Sequence, residues 1–293
     1  MTNKEYRALI DNALEKYFPT LNKKAETIAD AMRYSLMAPG KRIRPMLVLE
    51  FCNICGGERS VALAFACAIE MVHAYSLIHD DLPCMDDDDY RRGRPSNHVK
   101  YGEAVALLAG DALLTLAFDV MLSKENIEKV GADKAACAAG VLARAIGCSG
   151  MIGGQVIDIL SQGKFLSQKE LDFMHGQKTG ALIRAACEIG CIVAGAGTRM
   201  RDIARCYAEK LGLAFQIADD VLDVISNIEE MGKLSGSDME KSKTTYVTLM
   251  GIENSKKEVK ELINQAKETL IGVDENTDFL KCIADSIYNK IDG

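Results

Sequence analysis

The stretch SVALAFACAIEMVHAYSLIHDDLPCMDDDDYRRGRP, residues 60–95, changes character abruptly along its length. Its first part is apolar, with Ala68, Met71, Val72 and Tyr75 at the spacing of one helix face. It then meets six carboxylates with no base among them, Asp80, Asp81, Asp86, Asp87, Asp88 and Asp89, followed at once by Arg91, Arg92 and Arg94. Pro95 is the last of five prolines, after Pro19, Pro39, Pro45 and Pro83. Beyond it no residue lacks the backbone donor that a helix needs. Residues 96–293 are rich in good helix formers and poor in the β-branched alternation of strands. The expectation is an all-α protein. No Ser/Gly/Pro-rich linker divides the chain, so one domain over residues 1–293 is expected.

Upstream, residues 3–37 have helical periodicity and stop at Ala38-Pro39-Gly40, where the basic run Lys41, Arg42 and Arg44 begins. An apolar helix follows to about Cys55, and Ser60 is expected to open the next. Downstream, helices are expected over 101–122, 132–147, 150–162 and 198–226. Ser167-Gln168-Lys169-Glu170 reads as a capping box opening a helix to about residue 194, and Ser255-Lys256-Lys257-Glu258 as a second box. Residues 228–242, with Gly232 and Gly236 and little apolar content, read as a mobile loop. AVALLAGDALLTLAFDVML, residues 104–122, approaches membrane-spanning length. Asp111 and Asp119 interrupt it, and a central Asp costs about 2.5 to 3.5 kcal/mol on insertion. A buried bundle helix is the expectation, with no stable membrane anchor.

With 42 acidic and 35 basic residues the net charge of -7 argues against a nucleic-acid partner. The deficit is local. Without the six acids of residues 80–89 the balance is 36 to 35, and without Asp219, Asp220 and Asp223 as well it is 33 to 35. The N-terminus, MTNKEYRALIDNALEKYF, lacks the apolar core of a signal peptide, and a cytoplasmic protein is expected. Cys52 and Cys55 form a lone Cys-x-x-Cys among ten cysteines, with no second pair at zinc spacing, so all are expected to be reduced core thiols.

Asp219 and Asp223 stand four apart, so they project from one helix face a single turn apart, beside Asp220 and flanked by Ala218, Val221 and Leu222. Like charges so placed need a cation, and Mg²⁺ suits them because it takes one or two carboxylates with water and phosphate oxygens. The carboxylates and guanidinium forks of residues 80–94 fit a metal-bound diphosphate by the same logic. His73 lies seven residues before Asp80, on the same face, and could join Lys41 and Arg44 in a second, metal-free anion site. Glu70-x-x-His73 also matches the Glu-x-x-His of di-iron bundles, but those use two copies, and Asp172-x-x-His175 is only an imperfect second.

Together DDLPCMDDDDYRRGRP (80–95), DDVLD (219–223), GKRIRP (40–45), GGQ (153–155) and KTG (178–180) resemble the trans-prenyltransferases, the short-chain isoprenyl diphosphate synthases, over essentially the whole chain. The likeness is greatest to bacterial farnesyl diphosphate synthases, whose first motif also carries two extra residues between its aspartates. The resemblance implies ten or more helices around a deep central cavity, with the two aspartate motifs facing each other across its mouth. It implies that Asp80, Asp81, Asp86, Asp219, Asp220 and Asp223 hold about three Mg²⁺ ions, with Mn²⁺ as a substitute. Asp87, Asp88 and Asp89 have weaker claims. Arg91, Lys178, Lys243 and, on loop closure, Lys233 match contacts to the allylic diphosphate; Lys41, Arg44, His73 and Arg92 match the isopentenyl diphosphate site.

The implied chemistry is ionisation of the allylic diphosphate, attack by the double bond of isopentenyl diphosphate on the carbocation, and loss of a proton, with no protein nucleophile. The Lys178 carbonyl, Thr179 and Gln216 are expected to stabilise the cation. Tyr75 and Ser76 match the cavity floor that limits product length, and a ring at Tyr75 implies a farnesyl product. The alternatives are a geranylgeranyl diphosphate synthase and a non-catalytic diphosphate-binding subunit; the second motif lacks the Asn/Asp, Ser/Thr, Glu pattern of a class I terpene cyclase. The family implies a homodimer. One departure is Tyr246-Val247, where the family often has proline after the tyrosine.

Overall fold

The computed structural model describes residues 1–19, 22–231 and 244–292. The protein is all-α: regular structure among these residues is helical apart from one short hairpin. The chain's contacts group into two compact units, Met1–Ala139 with Ile192–Gly195 and Gly140–Cys191 with Ala196–Gly293. The expectation of one domain over the whole chain is kept as a proposal.

The first unit begins with α1 (Asn3–Lys16), α2 (Glu26–Leu36), α3 (Ile43–Ile54) and α4 (Arg59–Asp80), followed by α5 (Asn97–Tyr101), α6 (Glu103–Met121), α7 (Lys124–Val130) and the start of α8 (Ala132–Ile146). Thr2 opens α1 with a capping box to Glu5. The single helix expected over 3–37 is instead two, with Pro19 in the break. Likewise 101–122 divides at Gly102, whose φ of 85° is a conformation that glycine adopts without strain. Helix α4 is the core of this unit: Phe65, Ile69, Met71, Val72 and Ile78 on it are buried. Each such side chain contributes roughly 1.5 to 3 kcal/mol of transfer free energy.

Among the described residues, three helical stretches are long and apolar enough to cross a membrane by length and composition, and their apolar windows are buried inside the protein to 72% (Arg59–Asp80), 39% (Glu103–Met121) and 44% (Ala132–Leu160). The buried-helix expectation therefore holds for α6 on one face only. Ala106, Ala109, Leu113 and Ala117 are covered, while Leu107 and Leu108 are exposed. Gly110 lets α6 approach α4, since a Cβ there would fall 2.1 Å from His79 Nε2.

The second unit holds the rest of α8, then α9 (Met151–Leu160), α10 (Gln168–His175), a π-helical turn (Gly176–Gly180) and α11 (Ala181–Ala194), whose last residues return to the first unit. It continues with α12 (Thr198–Met231), α13 (Tyr246–Met250), α14 (Ile252–Glu268) and α15 (Asp278–Tyr288). The Ser167 capping box opens α10 as expected. The second expected box is not one: Ser255 lies inside α14, and its hydroxyl donates to the Gly251 carbonyl at 2.8 Å. Helix α12 runs past residue 226, through the start of the expected loop. Thr245 caps α13 with its own box, which accounts for a helical start here without proline.

The cysteines are free thiols, but not all belong to the core: Cys52, Cys67, Cys187 and Cys191 are buried, and Cys84, Cys137, Cys148, Cys206 and Cys282 are exposed. Burial, aided by Cys55, pushes the Cys52 thiol up to about 11, opposite to a redox-active pair.

Candidate active site

The acidic motif of the first unit is built at the C-terminal end of α4. Asp81 caps the helix and is buried at 2% exposure. The chain then curls back on itself, the Asp86 N–H donating to the Asp80 carbonyl at 2.9 Å and the Asp87 N–H to that of Leu82 at 3.2 Å. An antiparallel hairpin follows, with Tyr90 opposite Pro95 and Arg91 opposite Arg94. Its two-residue turn, Arg92-Gly93, has φ of 54° and 73°, the signature of a type I′ turn. The hairpin folds Arg91 back onto the acids: its Nε donates to Asp81 Oδ1 at 2.8 Å, and its Nη2 donates to the same oxygen and to Asp88 Oδ2 at 3.0 Å. Burial raises the Asp81 carboxyl above its ordinary range, although Arg91 pulls it back. Burial also disfavours the Arg91 charge, but the bond to Asp81 and the field of Asp81, Asp88 and Asp80 more than offset it.

The basic run splits by environment. Lys41 is exposed, whereas Arg42 is buried with φ 53° and points into the protein. Arg44 Nη1 lies 3.4 Å from His73 Nε2. Burial and then Arg44, Arg92, Arg42 and Arg91 lower the His73 pKa well below 6.5, so its ring is neutral at neutral pH. Arg92 reaches the Ala38 carbonyl at 3.5 Å. The di-iron reading fails here, because Glu70 is engaged by Arg42 at 2.6 Å and His73 by Arg44. Arg42, Asp87 and Arg92 are the non-glycine residues with positive φ among those described, and all three lie in these motifs. Such strain persists where surrounding structure over-determines it, commonly at functional sites. Tyr75 is buried on α4, its ring edge-on to His79 with centroids 5.6 Å apart, and Ser76 Oγ donates to the His73 carbonyl at 2.9 Å.

In the second unit the π turn carries Lys178 and Thr179. Two glycines permit it. A Cβ on Gly154 would lie 2.3 Å from the Lys178 nitrogen, and one on Gly212 would lie 3.2 Å from the Gly180 Cα, so α9 and α12 both press on the turn where they lack side chains. The GGQ and KTG motifs are thus halves of one contact. Lys178 Nζ donates to Asp158 Oδ2 at 2.6 Å, and Arg184 Nη1 donates to the Gly176 carbonyl at 3.0 Å. From Thr179 a chain of bonds runs through the unit: Thr179 Oγ1 to Gln216 Oε1 at 3.2 Å, Gln216 Nε2 to Asp220 Oδ1 at 3.3 Å, and the Tyr246 N–H to Asp220 Oδ2 at 2.9 Å. Tyr246 Oη completes it, donating to Asp172 Oδ1 at 2.8 Å.

Asp220 therefore differs from its neighbours. It is 8% exposed with both oxygens engaged by protein donors, whereas Asp219 is half-buried and Asp223 exposed. Burial lifts the Asp220 pKa from 3.8 to about 6, with Asp223 adding to the rise, and burial also raises Asp223. Hard oxygen donors placed one helical turn apart suit a divalent cation. Among the described residues no three His, Cys, Asp or Glu side chains form a ready-made metal cluster.

A stability prediction follows from Asp220. A carboxyl whose folded pKa is raised holds its proton more tightly in the fold, so its favourable contribution is full below pH 3.8 and is lost as pH rises through about 6. The interval from 3.8 to about 6 corresponds to roughly 3 kcal/mol. Asp220→Asn leaves one acceptor for two donors, a cost that does not depend on pH, so relative to wild type its urea midpoint in metal-free protein is expected to be higher at pH 8 than at pH 5. Equal effects at the two pH values would show that burial of the charge is not the cause.

Lys233 and Lys243 lie outside the described residues. Reading the sequence alone misses the inward Arg42, its partners Glu70 and Asp11, and Asp88 as the second partner of Arg91. It also misses that Arg94, named there among the guanidinium forks, stacks over the Tyr34 ring at 4.5 Å while Tyr34 Oη donates to the Pro95 carbonyl at 2.8 Å.

The polyprenyl synthetase family model matches residues 25–279. The chain is 45% identical over 287 residues to a geranylgeranyl diphosphate synthase of Cyanophora paradoxa, covering 98% of this chain and 94% of that protein. It is 45% identical over 275 residues to a heterodimeric geranylgeranyl pyrophosphate synthase large subunit 1, chloroplastic, of Arabidopsis thaliana, covering 92% and 72%. Among solved structures, an FPP/GFPP synthase from Zymomonas mobilis superposes with a TM-score of 0.87 at 35% identity, over 98% of this chain and 97% of that one. A geranyltransferase from Legionella pneumophila gives a TM-score of 0.87 at 31% identity, over 99% and 96%. On the strength of both motif sets and a match across most of its length, the chain belongs to the polyprenyl synthetase family.

Proposed function

We propose that this prenyltransferase joins isopentenyl diphosphate to an allylic diphosphate, with Mg²⁺ as the metal and Mn²⁺ as a substitute. The observation that carries the reading is the first motif's arrangement, carboxylates at a helix end with Arg91 folded back among them. Asp80, Asp81 and Asp86, with Asp219 and Asp223, are assigned to about three Mg²⁺; Asp220, tied to Gln216 and Tyr246, is assigned to hold the second motif in place. When bound, Mg²⁺ neutralises the charge that builds on the departing diphosphate. Arg91 and Lys178 add fixed positive charge to the allylic diphosphate. Lys41, Arg44 and Arg92 hold the second diphosphate beside a neutral His73. Thr179 and Gln216, already bonded to each other, present oxygen dipoles to the carbocation, and Lys233 and Lys243 are assigned to the allylic diphosphate.

For the product, the names of the curated relatives favour geranylgeranyl diphosphate over the farnesyl product expected from sequence. One residue supports farnesyl as a second reading. Tyr75 is 5% exposed, and its buried hydroxyl has no hydrogen-bond partner among the described residues, so the position uses the bulk of the ring rather than its polarity. The test incubates protein, Mg²⁺ and labelled isopentenyl diphosphate with each allylic starter and chromatographs the dephosphorylated products. A dominant C20 product supports the first reading and a dominant C15 the second; no elongation overturns both and favours a non-catalytic subunit. Under either reading Tyr75→Ala, with Ser76 unchanged, is expected to lengthen the main product by at least one C5 unit, and an unchanged product removes Tyr75 as the limit.

The reading takes the protein as a cytoplasmic homodimer. The Arabidopsis relative is named as chloroplastic and as part of a heterodimer, so sedimentation of the purified chain tests the oligomer directly.

A further inference from the structure

We propose that Arg42 is a positioning residue that sets Lys41 and Arg44 in place for an incoming diphosphate, through a buried ion pair with Glu70. The inference rests on the reading of Lys41, Arg44 and His73 as the isopentenyl diphosphate site. Arg42 is surrounded. Its Nε donates to Asp11 Oδ1 at 2.8 Å, its Nη1 to Glu70 Oε1 at 2.6 Å, and its Nη2 to the carbonyls of Leu36 at 3.0 Å and Ala38 at 3.2 Å. The Arg42 and Glu70 side chains are 3% and 4% exposed.

One guanidinium thus ties together α1, the end of α2, the loop after it and α4. The last carbonyls of a helix have no partner within it, and a cation there also meets the negative end of the helix dipole. Arg42 serves α2 in this way while its own backbone sits at φ 53°, a conformation that ordinary residues avoid unless contacts enforce it. The direction of the loop is therefore set by where Glu70 and Asp11 hold the guanidinium. Glu70 is three residues before His73 on α4, so the pair fixes the loop against the same helix face that places His73 beside Arg44. The Ala38 carbonyl that accepts from Arg42 also accepts from Arg92, which extends the link to the hairpin. In the run Lys41, Arg42 and Arg44, the middle residue is buried against Glu70 and Asp11, while Lys41 is exposed and Arg44 lies beside His73. A lysine at 42 would keep the charge but lacks a planar fork able to serve four acceptors at once.

The test measures steady-state kinetics and calorimetric binding of isopentenyl diphosphate to wild type, Arg42→Lys, Glu70→Gln and Asp11→Asn. For Arg42→Lys and Glu70→Gln, KM and Kd for isopentenyl diphosphate are expected to rise about tenfold, with the allylic KM within about twofold and the helical circular dichroism unchanged. Asp11, whose side chain is 41% exposed, is expected to give a smaller rise of the same kind, and it keeps the test open should Glu70→Gln lose its helical signal. Equal rises in both KM values, or a loss of thermal stability with neither KM moved, would show general support of the fold and overturn the proposal. Wild type that binds isopentenyl diphosphate without turnover overturns the catalytic reading while the binding data still judge Arg42; wild type that does not bind it removes the site itself.

Discussion

Asp81→Ala is expected to lower turnover by about a thousandfold, equivalent to about 4 kcal/mol of transition-state stabilisation. Two effects combine. The substitution removes a carboxylate assigned to the metal, and it strips Arg91 of the partner to which both its Nε and Nη2 donate. Arg91 would then be left with Asp88, whose side chain is 46% exposed and which lies beyond the helix end. Breaking a buried pair by removing one partner costs about 3 to 5 kcal/mol, but the Arg91 side chain is 36% exposed, so about 1 to 2 kcal/mol of folding stability is the expected loss. Asp81→Asn separates the effects, because it keeps the shape and an acceptor for Arg91 while removing the charge. It is expected to recover most of the thermal stability and little of the turnover. Recovery of both would mean that Asp81 serves only to orient Arg91.

The second large effect is at Asp219. Asp219→Ala is expected to reduce turnover by at least about a hundredfold, in the range seen when one electrostatic group is removed from a transition state. Unlike Asp220, this residue is half-buried rather than enclosed, and it shares a helix face with Asp223, whose pKa burial raises. The diagnostic is thermal shift with Mg²⁺ and inorganic diphosphate together: wild type should be stabilised and Asp219→Ala much less. Full stabilisation of the variant would remove Asp219 from the metal set.

The helices and the acidic and basic motifs were legible because they are local. Apolar spacing, the Ser167 box and the proline-free span from residue 96 each act within a few turns of chain. What escaped depends on distant partners. Nothing near Arg42 in sequence says that it turns inward; Asp11 and Glu70 decide that from 31 and 28 residues away. Asp220 looks like Asp219 until Tyr246, 26 residues on, donates to it. The hairpin was missed because Arg92-Gly93 is not one of the Asn-Gly or Asp-Gly pairs that announce such a turn. The break within 168–194 was missed because each side of it is an ordinary helix.

That break has a consequence of its own. In the π turn at Gly176–Gly180 the chain spends one residue more per turn than an α-helix does, so everything after it is rotated by about 100° relative to a continuous helix. Where Lys178 and Thr179 face is consequently fixed by the number of residues in the turn as well as by their kind. Side chains there can be exchanged one at a time with graded effects, but a one-residue deletion would swing α11 out of phase with α10 and move every group at once. The number of residues between Gly176 and Gly180 thus sets the phase of α11 against α10, independently of which side chains stand there.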